Sequence, residues 1–401
     1  MAYRLTKEHL LIDLYAAFAC AKKHKSNKEY VKVFEGRLSY NIRRLADDLY
    51  SRNYKPEPSS CFIVDRPKKR EVFAAQFRDR IVHHLYFNYT HELFERTFIQ
   101  DTYSCIPNRG THYGIDRLAQ HIRKETLNYK REAYVMKLDI RGYFMHINRQ
   151  RLLDIALGSL EKMRHHKAKD NLLWEDIIDF DFVEWLTKEI VLLNPKDSCH
   201  IVGRIDDWDG LDHSKSLFHT NNGCGIPIGN LTSQLFSNVY LNMFDQFMKR
   251  ELHCNHYGRY VDDAYIVSHD RDWLLSLVPD IRRFLKESLE LDIHMGKLHL
   301  INTRYGTDFL GAFVRPYRNY VSNATLRRTK DNINRLNFND EDAVFRSVNS
   351  FLGTLVHCKS YNLRRMLFHQ DRFLKIGKFD SGITKFKLIR NKQIKAHENN
   401  I

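Results

Sequence analysis

Long apolar runs are missing from this 401-residue chain, and nothing in it approaches the ~18 uninterrupted apolar residues of a membrane-spanning helix. Nor does the N-terminus carry a signal-peptide pattern, so the expectation is a cytoplasmic protein with no membrane partner. Cysteine is sparse and scattered, at Cys20, Cys61, Cys105, Cys199, Cys224, Cys254 and Cys358, without a Cys-x-x-Cys pair. Reduced thiols are expected, and a zinc site from Cys199, His200, Cys254 and His256 is the weaker alternative. Fixed-period repeats and low-complexity tracts are absent, which sets aside solenoids and disordered scaffolds. Acidic charge is also in short supply. Against 64 Lys and Arg stand 49 Asp and Glu, a formal net charge of +15, and that excess suits a polyanion-binding surface, with nucleic acid the leading partner.

What is present is an ordinary globular composition, 43% hydrophobic and 12% aromatic, long enough for two or three structural units. Thr6 can cap a helix with Leu10, Leu14 and Phe18 on one face. Phe34, Leu38, Ile42, Leu45 and Leu49 mark a second helix, ended by Pro56 and Pro58. Residues 61–64 and 72–75 read as strands around a charged tip, Arg66-Pro67-Lys68-Lys69-Arg70. Lys69 and Arg70, with Arg78 beyond them, are candidate contacts for a triphosphate; a solvated turn is the alternative for the tip. Residues 102–105 and 108–111, with Arg109, make a polar loop that could meet a nucleic-acid backbone. The glycine-rich stretch 223–230 opens a long helix in which Leu231, Leu235, Val239, Met243 and Phe247 should be core. Its Ser233, Gln234, Ser237, Asn238 and Asn242 would form a small polar face suited to a base or sugar-phosphate. Beyond Pro316, basic helical sequence (Phe345, Val348, Leu352 and Leu355, then lysines to Lys395) predicts a separate helical lobe gripping a duplex, with a cationic tail.

Arg259-Tyr260-Val261-Asp262-Asp263-Ala264-Tyr265-Ile266-Val267 sets two adjacent aspartates inside an aromatic and β-branched run, which predicts strand, tight hairpin, strand. Like charges at a sheet turn make sense beside a strong cation, a divalent metal above all; a solvent-exposed turn is the alternative. Tyr134-Val135-Met136-Lys137-Leu138-Asp139-Ile140 is a second strand with Asp139 near its end, followed by a turn at Gly142 and by Tyr143-Phe144. Alone, such an aspartate is more often structural. Together, Asp139 and Asp262 as principal ligands and Asp263 as a peripheral one suit a pair of Mg²⁺ ions, with Mn²⁺ as substitute. Such ions activate a primer 3′-hydroxyl and neutralise a leaving pyrophosphate. Lys297 is assigned to the pyrophosphate. This reading needs the three carboxylates to converge; scattered oxygens, or a lysine of the chain's own seated among them, count against it.

In order and spacing, Asp139 with Phe144, the glycine-rich helix start, Tyr260-Val261-Asp262-Asp263, Lys297 and Phe309-Leu310-Gly311 resemble the palm motifs of reverse transcriptases, and residues 70–110 look like their fingers. The resemblance implies an α+β right-hand polymerase fold. N-terminal helices and fingers would occupy 1–125, palm 126–150 and 221–315, a fingers or insertion region 151–220, and a helical thumb with a basic tail 316–401. It also implies RNA-templated DNA synthesis from dNTPs on a DNA or RNA primer. Phe144, Ile228, Gly229 and Gln234 would lie at the nucleotide, the Phe144 ring leaving no room for a 2′-hydroxyl. Arg109, Tyr260, Phe309, Leu310 and Gly311 would lie at the nucleic acid. A finer resemblance, through Ile226-Pro227-Ile228-Gly229-Asn230-Leu231-Thr232-Ser233-Gln234 and Lys215-Ser216-Leu217-Phe218, is to the reverse transcriptases of diversity-generating retroelements. Most of those relatives carry Gln where this chain has Ile228 and Pro where it has Gln234. That subfamily implies adenine-directed errors, a template-repeat RNA and a small basic accessory variability protein. Retron, abortive-infection and CRISPR-associated reverse transcriptases are the alternatives within the class, and a non-catalytic RNA-binding protein is the one outside it.

Overall fold

The computed structural model describes residues 3–66, 68–168 and 171–389. Pro67 of the charged tip, and Arg390, Lys392 and Lys395 of the expected tail, lie outside the described residues. The architecture is α+β with mainly antiparallel sheets, in two compact units. One comprises Met1–Pro107, Lys137–Ala264 and Leu275–Leu298; the other Asn108–Met136, Tyr265–Leu274 and His299–Ile401.

In the first unit the Thr6 hydroxyl accepts from the His9 N–H and starts the helix Lys7–Lys22, which buries Leu10, Leu14 and Phe18 as its spacing predicts. The second expected helix is two, Glu29–Glu35 and Leu38–Tyr50, because Arg37 leaves helical geometry at φ −129° and ψ 39°. Strands Ser59–Val64 and Arg70–Ala74 pair antiparallel with Cys61 opposite Phe73, and Cys199–Ile201 adds a parallel third strand. Cys61 and Phe73 share an apolar cluster with Met145 and Leu217, against which Phe144 and Ile228 pack.

The long helix Leu231–Gln246 departs from the expected stripe. Leu235 and Val239 are buried, but Met243 is 40% exposed, and Ser233, Ser237, Asn238 and Asp245 are buried instead. Polar groups survive burial only when hydrogen-bonded: Asn238 and Asp245 bond Ser104 and Arg259, which brace the neighbouring hairpin, and the Ser237 hydroxyl donates to the Gln234 carbonyl of its own helix. Tyr257–Tyr260, Asp263–Ser268, Tyr134–Asp139 and His299–Asn302, in that order, make the four-stranded sheet that carries the aspartates.

In the second unit, Thr307–Phe309, Ala312–Arg315 and Arg318–Val321 form a three-stranded antiparallel sheet with two-residue turns. Helices Asn323–Asn334, Glu341–Leu355 and Tyr361–Phe368 gather around Val344, Val348, Leu352, Leu355, Phe368 and Phe373. Val344 takes the core position expected of Phe345, which is exposed. A closing hairpin, Gly377–Phe379 with Phe386–Leu388, was not expected from the sequence. No helix among the described residues is long and apolar enough to cross a membrane.

Candidate active site

Strands Tyr257–Tyr260 and Asp263–Ser268 leave only Val261-Asp262 to turn the chain. Val261 adopts φ +56°, a left-handed geometry that a β-branched residue takes only when its surroundings enforce it. The enforcement is visible. Its N–H donates to Ser104 Oγ at 3.2 Å, and its carbonyl accepts from Arg259 Nη1 at 2.8 Å. Arg259 is wholly buried and forks onto Asp245, with Nε to Oδ1 at 2.7 Å and Nη2 to Oδ2 at 2.6 Å. Asp245 also accepts from the Tyr257 hydroxyl at 2.7 Å and from Thr102 Oγ1 at 2.9 Å. Ser104 Oγ donates to Asn238 Oδ1 at 3.0 Å, and Asn238 Nδ2 returns a bond to the Ser104 carbonyl at 2.7 Å. Burial disfavours the Arg259 charge, but Asp245 more than offsets it, so the guanidinium is held protonated. Residues 102–104, expected as a nucleic-acid loop, are therefore buried braces. Sequence reasoning missed this network. Its one legible sign was a charged residue, Arg259, inside an otherwise apolar strand.

Asp139 ends its strand and is pinned through its carbonyl, which accepts from the His294 N–H at 2.7 Å. Its carboxylate accepts from Lys297 Nζ at 2.7 Å. Burial raises the Asp262 carboxyl above its ordinary value, and the Asp139 charge adds to the rise. Asp263 is pushed up to about 6, first by burial, with Lys137 opposing and Asp262 and Asp139 adding. The Asp139 charge thus reaches both Asp262 and Asp263, and Lys297 opposes the rise at each.

Two expectations need correction. Among the described residues no three His, Cys, Asp or Glu side chains gather as a metal-holding group, so neither the three-carboxylate cluster nor the Cys199-His200-Cys254-His256 site is formed. Moreover, Lys297 sits on Asp139, an arrangement the sequence reading held to count against it. Its side chain is 54% exposed on a flexible stem, so it neutralises Asp139 without being locked there. Mg²⁺ needs only one or two carboxylates when phosphate oxygens complete its octahedron. The hard oxygens of Asp139 and Asp262, which repel one another, fit such an ion.

The remaining candidates separate into two groups. Gly142, at φ +54°, makes the expected sharp turn, after which the Phe144 ring stands edge-on to Tyr143 at 5.4 Å. The Ile226 N–H donates to the Phe144 carbonyl at 3.0 Å, fixing that ring's backbone. Gln234 is exposed and accepts from the Cys105 thiol at 3.5 Å, while Tyr260 is half-buried and Arg70 exposed. The others are engaged in holding the protein together. Gly229 has φ +125°, and a Cβ there would lie 2.8 Å from Val72 Cγ1 and 3.3 Å from the Phe73 carbonyl oxygen. The glycine admits a neighbouring strand, whose Phe73 N–H donates to the Ile228 carbonyl at 3.0 Å, rather than a ligand. Arg78 is neutralised by Asp48 at 2.7 Å and Asp79 at 3.2 Å, and Lys69 donates to the Asp209 carbonyl at 2.5 Å. In the second unit Phe309 is buried, edge-on to Tyr265 at 5.1 Å, and so presents no face to nucleic acid. Leu310 and Gly311, at φ +49° and +85°, form the tight turn that follows; Arg109 is half-buried.

Residues 67–314, more than half of the chain, match the family model for reverse transcriptase (RNA-dependent DNA polymerase). The chain belongs to the reverse transcriptase family. Asp139, Asp262, Asp263 and Lys297 all fall within the matched span of this reverse transcriptase. It is 24% identical over 313 residues to Protein YkfC of Escherichia coli (strain K12), covering 70% of this chain and 72% of that protein. Among solved structures, telomerase of Candida albicans in complex with the TWJ fragment of telomeric RNA aligns at a TM-score of 0.46 and 11% identity, over 86% of this chain and 59% of that one. Apo telomerase of Candida tropicalis, truncated from its C-terminal domain, aligns at 0.44 and 12%, over 67% and 56%. This chain thus spans less than two thirds of the telomerase chains it matches. The right-hand polymerase fold and the use of divalent metal ions come with family membership.

Proposed function

We propose that this reverse transcriptase copies RNA into DNA by two-metal nucleotidyl transfer, extending a DNA or RNA primer with dNTPs. The observation that carries the reading is the pairing of Asp139, at a strand end, with Asp262, on a turn braced from beneath, where the Asp139 charge adds to the rise that burial gives the Asp262 carboxyl. Two Mg²⁺ ions, or Mn²⁺ in their place, would supply activation of the primer hydroxyl and neutralisation of pyrophosphate. The chain's own residues do the rest. Asp139 and Asp262 present oxygens, Asp263 stays peripheral, and Lys297 adds a mobile positive charge able to give a proton to the pyrophosphate. Phe144, anchored through its carbonyl and packed on the Met145–Leu217 cluster, excludes a 2′-hydroxyl.

Within the family, the residues at 215–218 and 226–234 favour a diversity-generating retroelement enzyme. It would work in the cytoplasm on a template-repeat RNA with a small basic accessory protein. Ile228 packs its side chain into the cluster that supports Phe144, so no polar group from that position reaches the nascent pair. Loosened discrimination at template adenine follows. A second reading, an RNA-binding scaffold without chemistry, is favoured by the Lys297–Asp139 contact and by the absence of a three-carboxylate group among the described residues.

One experiment separates them: primer extension on a defined RNA with and without Mg²⁺ or Mn²⁺, the products being sequenced. Metal-dependent DNA with errors concentrated at template adenines is expected, and Ile228→Gln should lower those errors. Faithful DNA would remove the retroelement assignment, and RNA binding without any product would leave only the scaffold. Phe144→Ala should shift the rNTP/dNTP preference toward ribonucleotides by roughly 10-fold or more, about the discrimination one steric contact provides.

A further inference from the structure

The second unit holds a cleft of about 710 Å³ that the polymerase chemistry does not use. Four cations line it, Lys130, Arg304, Arg315 and Arg318, and none of their side chains has a hydrogen bond or ion pair among the described residues. Arg131, beside them, is already tied to Glu125. The one lining carboxylate, Glu132, is engaged by the Tyr134 hydroxyl and the Asn302 amide. Arg315 and Arg318 stand directly opposite one another across their hairpin. Like charges so placed destabilise a strand pair, and a polyanion would relieve them.

The hairpin turn between them is Pro316-Tyr317, and Tyr317 adopts φ +68° with 73% of its surface exposed. Facing it, Tyr129 has φ +67° and ends a run of three left-handed residues after Leu127 and Asn128. The two rings meet with centroids 4.3 Å apart, inclined at 51°. Bulky residues seldom hold such backbone geometry, and it persists only where the surrounding structure enforces it. Here both strained segments deliver an aromatic face to one basic cleft, which Tyr320 also lines.

We propose that this cleft binds a single-stranded nucleic acid, its phosphates on the four unpaired cations and a base stacked on Tyr317. Exposed rings interleaved with cations recognise single strands because every unpaired base offers a π-face, whereas bases within a duplex are already stacked. The assignment rests on charges and rings of the second unit alone. It would stand for a scaffold without chemistry as well as for a polymerase.

The test uses the full chain and labelled oligouridylate RNA, its deoxy counterpart and an RNA duplex, with binding followed by fluorescence anisotropy. Tyr317→Ala should weaken both single strands roughly 10-fold, and Tyr317→Phe should restore them, with little change for the duplex. Tyr317→Gly removes the ring while relieving the backbone, so a loss of affinity at an unchanged Tm reports the ring and not misfolding. Joint Arg315→Ala and Arg318→Ala should lower the slope of log affinity against log salt by about 1–2. Photo-crosslinking with 5-bromouridine RNA should map to Tyr317 or Tyr129, in the Asp262→Ala variant as in the parent. Adducts there support the cleft whatever the polymerase assay shows. Unchanged affinity and slope, an equal loss for the duplex, or adducts only within the first unit overturns the proposal.

Discussion

Two hairpins of this protein turn on two residues and force a bulky one into left-handed geometry, yet they treat charge in opposite ways. At Val261-Asp262 the strained residue is bonded at both its N–H and its carbonyl, and the charges beneath it are buried and matched, Arg259 against Asp245. At Pro316-Tyr317 the strained residue is exposed, and Arg315 faces Arg318 with no carboxylate to answer either among the described residues. The first arrangement fixes Asp262 half-buried within reach of the Asp139 charge, a placement that a small hard cation would relieve. The second leaves positive charge available, which suits a ligand that brings its own phosphates. Rigidity at one turn and availability at the other are different uses of the same strain.

Removing the charge that the first turn presents has the largest expected consequence. Asp262→Ala should abolish primer extension, by roughly 10³-fold or more, while RNA binding by the rest of the basic surface persists. Near-normal synthesis by that variant would end the assignment. Next in size is the brace. Arg259→Met leaves the Asp245 charge buried and alone, at a cost of about 3–5 kcal/mol in unfolding free energy. Adding Asp245→Leu should recover much of that stability, because a matched apolar pair avoids the desolvation penalty. The Val261 carbonyl would still lack its donor, so kcat should stay roughly 10-fold down with KM for dNTP little changed. Recovery of kcat together with Tm would show that Arg259 serves folding only.

Proton linkage probes the same turn more gently. Asp263 is pushed up to about 6 by burial against an ordinary value of 3.8, and Asp262 is raised too, by burial and then by Asp139. The native chain therefore holds these protons more tightly than the unfolded one. Stability falls as pH rises between about 4 and 6, and the whole penalty is present above about 6. A divalent ion at these carboxylates should relieve it. Mg²⁺ is expected to raise Tm by a few degrees near pH 7.5 and by almost nothing near pH 5, and equal shifts at both would place the ion elsewhere.

Much of this was legible in the sequence because local chemistry and fold agreed. The strand-turn-strand around Asp262, the strand ending at Asp139, the Gly142 turn and the helix started by Thr6 each follow from patterning and turn preference. The errors share a cause. Spacing assigned Ser233, Ser237 and Asn238 to an open polar face, because sequence periodicity separates apolar from polar and cannot tell a solvated amide from one bonded inside the protein. For the same reason spacing could not show that Arg78 and Gly229 are engaged within the protein. A cation's partner, Asp48, and a glycine's close neighbour, Val72, come from distant parts of the chain. The Arg259–Asp245 pair was invisible because 14 positions, a helical turn at Phe247–Glu251 and a loop separate a helix residue from a strand residue that only tertiary packing brings together.

The smallest expected effect discriminates best between the two turns. Glycine accepts φ +56° without strain, so Val261→Gly should leave stability within about 1 kcal/mol of the parent, relief of the turn offsetting the added freedom of the unfolded chain. If strain at this turn holds Asp262 in place, relaxing it should lower kcat several-fold even though the protein is no less stable. Tyr317→Gly offers the contrast. Its backbone relief is of the same kind, but the lost function is a ring, and the expected defect is in single-strand affinity. A Val261→Gly enzyme with full kcat would mean that the hydrogen bonds from Ser104 and Arg259 position the turn by themselves, and that its left-handed residue is an accident of sequence rather than part of the mechanism.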